Sequence, residues 1–211
     1  ADGEYVVAGS ADGKVYLYDK DSSTPSWSYN TGAGVHSVAI SSDGEYITAG
    51  NTDNKVYLFD KDSSTPSWSY TTGGDVKSVS ISSDGEYIAA GSLDDKIYLF
   101  DKDSSTPVWT YDTEDDVYSV AISADGEYIV AGTDGDEIYF FERSSSSPEW
   151  NYATNGDARY VDISNDGEYI VVGTHGSRLY LFDKDNDTPQ WTYTTGDEVR
   201  SVAISGDGEY L

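Results

Sequence analysis

Short apolar segments alternate along the whole chain with turns rich in Gly, Asp and Ser. In one representative stretch the apolar segments are Val117–Ser123, Glu127–Gly132, Glu137–Phe141 and Glu149–Tyr152. β-Branched and aromatic residues dominate them, and such residues favour strands. Asp125-Gly126 lies between the first two segments, and Asp-Gly between apolar segments is a strong hairpin signal. Apolar residues do not recur at helical spacing, so we predict four short antiparallel strands and no substantial helix.

This four-strand pattern recurs with a period of 41 residues. The tetrapeptide DGEY begins at Asp2, Asp43, Asp84, Asp125, Asp166 and Asp207. The tryptophans follow the same period: Trp27, Trp68, Trp109, Trp150 and Trp191. Repeats of about 40–45 residues with strand-like content are typical of propeller blades, each a four-stranded sheet. We therefore expect an all-β, five-bladed β-propeller of four-stranded antiparallel blades, formed as a single domain by residues 1–211.

The third strand of each repeat is apolar on both faces, as in Ile97 and Leu99 on one side and Tyr98 and Phe100 on the other. A sheet with two apolar faces is expected between two neighbouring sheets. The single tryptophan of each repeat is predicted to dock one blade on the next, because it buries a large area.

The chain begins within a second strand, Ala1–Ser10, and ends after a first strand, Val199–Ser205. We expect the final strand to pair with Glu4–Gly9 and so close the ring, giving a monomer. The tail 206–211 then duplicates the opening 1–6, which suggests a segment cut from, or designed on, a longer repeat array. An open arc that closes by oligomerising is the alternative.

Two blade families resemble this repeat. Ser82–Asp101 (SSDGEYIAAGSLDDKIYLFD) is similar to WD repeats, although their Trp-Asp tryptophan is replaced by Tyr18, Phe59, Phe100, Phe141 and Phe182. Lys55–Gly73 (KVYLFDKDSSTPSWSYTTG) resembles the strand, Asp turn and Trp-x-Tyr pattern of pyrroloquinoline-quinone-type (quinoprotein-type) repeats. Both resemblances imply the fold. Arrays of this Asp- and Ser-rich kind also resemble surface or secreted prokaryotic proteins, which implies an extracellular or cell-surface location.

The formal net charge is −27, with 39 acidic and 12 basic residues. Nucleic-acid binding needs clustered cations, so neither nucleic acid nor an anionic membrane is an expected partner. The acidic surface is consistent with solvation at high salt. The chain has no cysteine, which excludes disulfides and thiol catalysis.

No known catalytic motif occurs in the sequence. The loop DKDSSTP, first at Asp19, has acids that are compatible with calcium, but it lacks the spacing of known calcium loops. We interpret it as a turn whose Asp and Ser side chains cap backbone amides before a proline. The histidines, His36 and His175, lie more than three repeats apart. We therefore expect no enzyme activity, no cofactor and no metal site.

The loops after the second and fourth strands vary among the copies, and antiparallel strands place both on one face. The second residue of the first strand varies too: His36, Lys77, Tyr118, Arg159 and Arg200. These five ring residues are expected at the mouth of the central channel, where they would bind a small anionic or glycan-like ligand or a protein. The alternative is drift, with cations offsetting nearby aspartates. The sequence thus favours a non-enzymatic binding module, with a structural or engineered scaffold as the alternative.

Overall fold

The computed structural model describes residues 3–211, and the described residues form nineteen strands and no helix. The strands form five sheets, which are the five blades. Blade 1 contains β1 (Tyr5–Gly9), β2 (Lys14–Asp19) and β3 (Trp27–Asn30). Blade 2 contains β4 (Val35–Ile40), β5 (Tyr46–Asn51), β6 (Lys55–Asp60) and β7 (Trp68–Thr71). Blade 3 contains β8 (Val76–Ile81), β9 (Tyr87–Ser92), β10 (Lys96–Asp101) and β11 (Trp109–Asp112). Blade 4 contains β12 (Val117–Ile122), β13 (Tyr128–Thr133), β14 (Glu137–Glu142) and β15 (Trp150–Ala153). Blade 5 contains β16 (Tyr160–Ile163), β17 (Tyr169–Gly173), β18 (Arg178–Asp183) and β19 (Trp191–Thr194).

Each blade is an antiparallel meander whose strands pair in chain order. This arrangement confirms the predicted five-bladed β-propeller, and the strand boundaries of blade 4 lie within about a residue of those expected from the sequence. The described part of the chain contains no apolar helix of membrane-spanning length.

A repeated hydrogen-bond motif forms the turn between the first two strands. In blade 3, Ser82 Oγ donates to Asp84 Oδ1 at 2.6 Å, and the Glu86 amide donates to the same oxygen at 3.0 Å. The Tyr87 amide donates to Ser82 Oγ at 3.0 Å. Gly85 has a φ of 74°, whereas Asp84 does not adopt positive φ. Gly85 therefore adopts the left-handed conformation of this turn, while Asp84 keeps a negative φ and caps the turn with its carboxylate.

The core lies between the blades, as the two-sided apolar pattern predicts. Tyr98 and Phe100 of β10 pack with Val56 and Leu58 of blade 2. Ile97 and Leu99, on the opposite face of β10, pack with residues of blade 4. Each inner blade therefore buries both faces against its neighbours, which is why its third strand needs no polar face.

Four tryptophans connect successive blades. The Trp109 indole Nε1 donates to the Arg143 carbonyl of blade 4 at 2.8 Å, and its ring lies 5.3 Å from Phe141. The same bond to the next blade is made at 2.7 Å by Trp27, Trp68 and Trp150. Trp191 is 38% exposed, and no such bond is present for it in residues 3–211.

The predicted closing pair is absent from the structure of residues 3–211. The edge strand β1 pairs only with β2, so blade 1 has three strands, and residues 199–205 carry no strand assignment. Ala1 and Asp2, at the start of the predicted first segment, lie outside the described residues. The physical reason is local competition: the duplicated tail folds back, and the Ser205 amide donates to the Tyr210 carbonyl at 2.8 Å. The tail thus occupies the start of the position that β1 would take.

Candidate functional site

The loops that vary among the copies lie together on one face of the propeller. Each loop after a fourth strand is fastened to the neighbouring loop by a threonine. Thr113 Oγ1 donates to the Asp95 carbonyl at 3.0 Å and to the Asp115 carbonyl at 2.6 Å. Thr31, Thr72 and Thr154 make the same pair of bonds in their blades. The variable face is therefore a set of loops held to the rigid blades.

The ring residues occupy an irregular position at the start of the innermost strands. Pairing of the first two strands shifts register between Val35 and Ser37, and likewise around Lys77 and Tyr118. The residue between the two registers is a β-bulge, which leaves the ladder and aims its side chain differently from its neighbours. Arg159 directly precedes β16 at the corresponding position. The backbone thus singles out the positions that the sequence comparison selected.

Four of the five ring residues meet in pairs. Lys77 Nζ lies 3.1 Å from His36 Nε2. The Arg159 guanidinium lies over the Tyr118 ring, 4.1 Å from its centroid, which is a cation–π geometry. Arg200 is different: its side chain is 79% exposed and pairs with Glu198. The structure brings together His36 with Lys77 and Tyr118 with Arg159, and it leaves Arg200 on the segment that lacks a strand partner.

Each ring cation is accompanied by a carboxylate two residues earlier in the chain. Asp75 lies 3.7 Å from Lys77 Nζ and 3.8 Å from His36 Nε2. Asp157 lies 2.7 Å from the Arg159 guanidinium. The ring therefore alternates donors and acceptors, and it does not present unneutralised cations.

Carboxylates near the ring on the same face crowd one another, and Asp116 occupies the repeat position of Asp75 and Asp157. Burial, followed by repulsion from Asp134 and Asp95, raises the pKa of Asp116. Burial is also the main cause that raises the pKa of Asp134, although Arg159 opposes it. An additional anion would therefore meet acidic surroundings at this face, apart from the ring cations themselves.

His175 is a candidate site residue that the sequence analysis did not select. Its imidazole lies 3.7 Å from both Asp157 and Glu198, and the ring is 6.3 Å from Tyr160. The feature of the sequence that points to His175 is its place in a variable loop. Its distance from His36 in the chain gives no indication of a shared site. Across residues 3–211, no group of three or more His, Cys, Asp or Glu residues is placed to hold a metal ion.

Asp162 was also missed. The residues at the same position of the other copies are uncharged: Ala39, Ser80, Ala121 and Ala203. Its carboxylate accepts bonds from the amides of Ile163 at 3.0 Å and Ile204 at 2.9 Å. Burial raises its pKa. Asp162 thereby fastens the terminal segment 199–205 to blade 5.

The DKDSSTP loops, on the opposite face, have the contacts of a capped turn. Asp60 Oδ1 accepts the Asp62 amide at 2.9 Å, and Ser63 Oγ exchanges bonds with the backbone of Thr65. Lys61 pairs with Glu45 at 2.7 Å and with Asp62 at 3.5 Å. The Asp and Ser side chains of the loop therefore hydrogen-bond to the loop's own backbone or pair with its lysine.

The chain matches a protein-family model over residues 1–100 and again over 93–209, and the family is described as outer membrane protein assembly factor BamB. The chain belongs to this family. Its membership confirms the quinoprotein-type resemblance of the repeat. A search of curated proteins finds no significant match. The BamB-like family suggests a β-propeller protein-interaction module as the function class.

Proposed function

We propose that the chain is a non-enzymatic interaction module whose variable-loop face binds its partner, with the ring residues at the centre of contact. The observation that carries the proposal is the pairing of His36 with Lys77 and of Tyr118 with Arg159, at corresponding positions of adjacent blades. Three of these positions, His36, Lys77 and Tyr118, are bulges. Bulges that re-aim side chains are common next to binding sites. Function in repeat folds also lies on variable edges of the scaffold, which is where these residues are.

The charges at the ring favour a sugar-like ligand over a simple anion. Asp75 and Asp157 already neutralise Lys77 and Arg159, so a free anion gains little there. A polyhydroxyl ligand both donates and accepts hydrogen bonds, and it can use the carboxylates together with the cations. An exposed glycan on a protein partner presents the same chemistry. A glycan-bearing protein would satisfy both the glycan-like ligand and the protein partner that the sequence favours.

The family membership supports a protein partner and an extracellular or cell-surface location, because its description refers to outer membrane protein assembly. A glycan-bearing protein surface in such a compartment is the setting that this proposal assigns to the chain. Nucleic acids and membranes remain disfavoured by the net charge of −27.

The test is a calorimetric screen of neutral glycans, acidic glycans and simple anions against the wild type and the double variant Lys77→Ser/Arg159→Ser. A matched control is Lys96→Ser, which removes a cation from the start of β10, further from the centre on the same face. We expect a glycan that binds the wild type and the control but loses tenfold or more in the double variant, about 1.4 kcal/mol. Equal binding to all three proteins would contradict the proposal.

A structural scaffold without a ligand is the second candidate function. The observation in its favour is that each ring cation has its own carboxylate, which is the arrangement that local charge balancing would produce. The same screen separates the two: absence of binding across the panel, with Lys77→Ser and Arg159→Ser each lowering the melting temperature, supports the scaffold.

A further inference from the structure

Two corresponding clefts lie on the outer rim, on the face opposite the variable loops. The cleft between blades 3 and 4, here called the Arg143 cleft, has a volume of about 490 Å³ and is lined by Tyr87, Asp101, Val108, Trp109, Arg143, Ser144 and Ser146. The cleft between blades 4 and 5, here called the Lys184 cleft, has a volume of about 290 Å³ and is lined by Tyr128, Phe140, Glu142, Glu149, Trp150, Lys184 and Asp185. The repeat makes them equivalent, so their differences are informative.

The cation of the Arg143 cleft has fewer partners than its equivalents. Lys184 pairs with Glu168 at 3.3 Å and with Asp185 at 2.9 Å. Two carboxylates likewise hold each of the equivalent lysines, Lys20, Lys61 and Lys102. Arg143 pairs with Glu127, and within residues 3–211 it has no second carboxylate, because Ser144 replaces the aspartate of the other copies. A guanidinium has five N–H donors, so donors remain for a ligand.

The two clefts also differ in charge. Glu142, Glu149 and Asp185 give the Lys184 cleft three carboxylates against one ammonium. Among its lining residues the Arg143 cleft has one acid, Asp101, because Val108 stands at the position of Glu149 and Ser144 at that of Asp185. With Glu127 counted, the Arg143 cleft has two carboxylates against one guanidinium, whereas the Lys184 cleft with Glu168 has four against one ammonium. The Arg143 cleft therefore opposes an anion less than its equivalent does.

The rest of the Arg143 cleft supplies a fixed orientation and an apolar contact. The guanidinium lies 4.2 Å from the centroid of the Tyr87 ring, so its plane is held by cation–π contact. Val108 is 53% exposed beside Trp109, which leaves an apolar surface next to the charged group. The hydroxyls of Ser144 and Ser146 offer further donors at the same wall.

We propose that the Arg143 cleft binds the carboxylate of a peptide segment together with an adjacent apolar side chain. The carboxylate takes the free edge of the Arg143 guanidinium, for which its forked geometry is suited. The apolar side chain packs on Val108 and Trp109. This site is separate from the variable-loop face, and the proposed function does not depend on it.

The probes for the test are N-acetyl-leucine, which represents a chain terminus, and a blocked Leu-Asp dipeptide, which represents an acidic side chain. N-acetyl-leucinamide has the same apolar group without the carboxylate. The readout is the indole ¹H–¹⁵N resonance of Trp109, whose N–H is bonded to the Arg143 carbonyl. The corresponding Trp150 resonance is the internal control. Salt near 0.15 M limits long-range repulsion of the probes.

We expect a carboxylate probe to shift the Trp109 resonance saturably at millimolar concentration, with little effect from N-acetyl-leucinamide. Which carboxylate probe binds more tightly identifies the source. Ser144→Asp restores the pairing of the other four copies without disturbing the fold, and it should weaken binding about tenfold or more. Three changes in the other cleft, Glu149→Val, Lys184→Arg and Asp185→Ser, should make the Trp150 resonance respond as well, while the Trp109 response stays.

An unchanged affinity in Ser144→Asp would overturn the proposal, because the aspartate must compete with the ligand for Arg143. The proposal also fails if no carboxylate probe shifts Trp109 by about 20 mM, a concentration that detects even weak millimolar binding. Failure here leaves the glycan screen on the opposite face unaffected.

Discussion

The middle blades and the two ends of the chain have the same repeat but very different burial. In β9 and β13 every residue after the first tyrosine is buried, whereas β1 has no buried residue. All four residues of β19 are exposed, although β19 has the same Trp-x-Tyr pattern as β11. The comparison shows that the local sequence specifies the strands of a blade, while the neighbouring blade determines how far they are buried. Stability in such repeats is approximately a sum of blade and interface terms.

The largest expected effect comes from the tryptophans on the two sides of this comparison. Trp109→Ala should cost about 3–5 kcal/mol, because it removes a large side chain and a hydrogen bond from between blades 3 and 4. Trp191→Ala should cost less than about 1 kcal/mol, because no blade covers it. Denaturant titration of both variants measures the difference.

Equal losses for Trp109→Ala and Trp191→Ala would break the comparison, since they would place Trp191 at an interface that the structure lacks. A Trp109 loss below about 1 kcal/mol would show instead that the indole does not connect the blades.

A glycine pair gives the next largest difference. A Cβ on Gly132 would lie 2.0 Å from the Ala158 carbonyl oxygen, so Gly132→Ala should cost about 1–3 kcal/mol through overpacking. Nothing lies within 4 Å of a Cβ at Gly196, near the open end. Gly196→Ala should therefore be neutral within about 0.5 kcal/mol. Thermal unfolding of the two variants checks the pair, and a tolerated Gly132→Ala would mean that blades 4 and 5 are less closely packed than described.

Asp162 sharpens the comparison at the boundary between blade 5 and the terminal segment. Because burial raises the pKa of Asp162 in the folded state, its contribution to stability is greatest at low pH and is lost as pH rises through that pKa. Ser80 makes a corresponding bond to the Ile122 amide at 3.3 Å without a charge. Asp162→Ser should therefore gain stability relative to wild type as pH rises from about 4 to 7. A difference that is constant with pH, measured by urea titration, would contradict this.

Salt should produce the smallest change in stability, and acids of the middle blades should account for most of it. Asp95, Asp116 and Asp134 repel one another there, and salt screens such repulsion. We expect about 1 kcal/mol between low salt and about 1 M sodium chloride, a rise of roughly 2–4 °C in melting temperature. Asp116→Asn should reduce the rise, and Asp197→Asn, near the open end, should not. A flat curve for the wild type would show that these acids are locally satisfied.

The fold could be predicted because its determinants are local and repeated. DGEY, the docking tryptophan and the two-sided third strand each recur with the 41-residue period, so one copy supports the interpretation of every other. Closure could not be predicted in the same way. It depends on whether β1 or the duplicate Tyr210–Leu211 pairs with the terminal segment, and the two sequences offer nearly the same partner.

The structure brings His36 together with Lys77 and Tyr118 with Arg159, whereas the binding role of the ring residues stays a prediction. The offset of the cations by nearby carboxylates is the alternative that the sequence left open. Variation among copies selected His36, Lys77, Tyr118, Arg159 and Arg200, and a bulge at the first three explains why those positions are free to vary. The pairing of Lys77, Arg159 and Arg200 with carboxylates two residues earlier depends on the direction of each side chain, which periodicity does not specify. The Arg143 cleft is formed by two blades, so it became visible only when they were assembled.

The central claim is that the burial of a strand depends on its neighbours, and that β1 lies at an open edge of its sheet. Amide hydrogen exchange of Val7 and Ala89, followed at low protein concentration, tests this claim most directly. The two residues are equivalent in the repeat, but Ala89 pairs with both Ser80 and Leu99, whereas within residues 3–211 Val7 pairs with Leu17 alone. Tyr87 accepts the Ser82 amide, so by alternation the Ala89 amide faces β8 and the Val7 amide faces the open edge. The structure predicts strong protection at Ala89 and fast exchange at Val7. Equal protection at the two amides would contradict it and show that the terminal segment closes the ring.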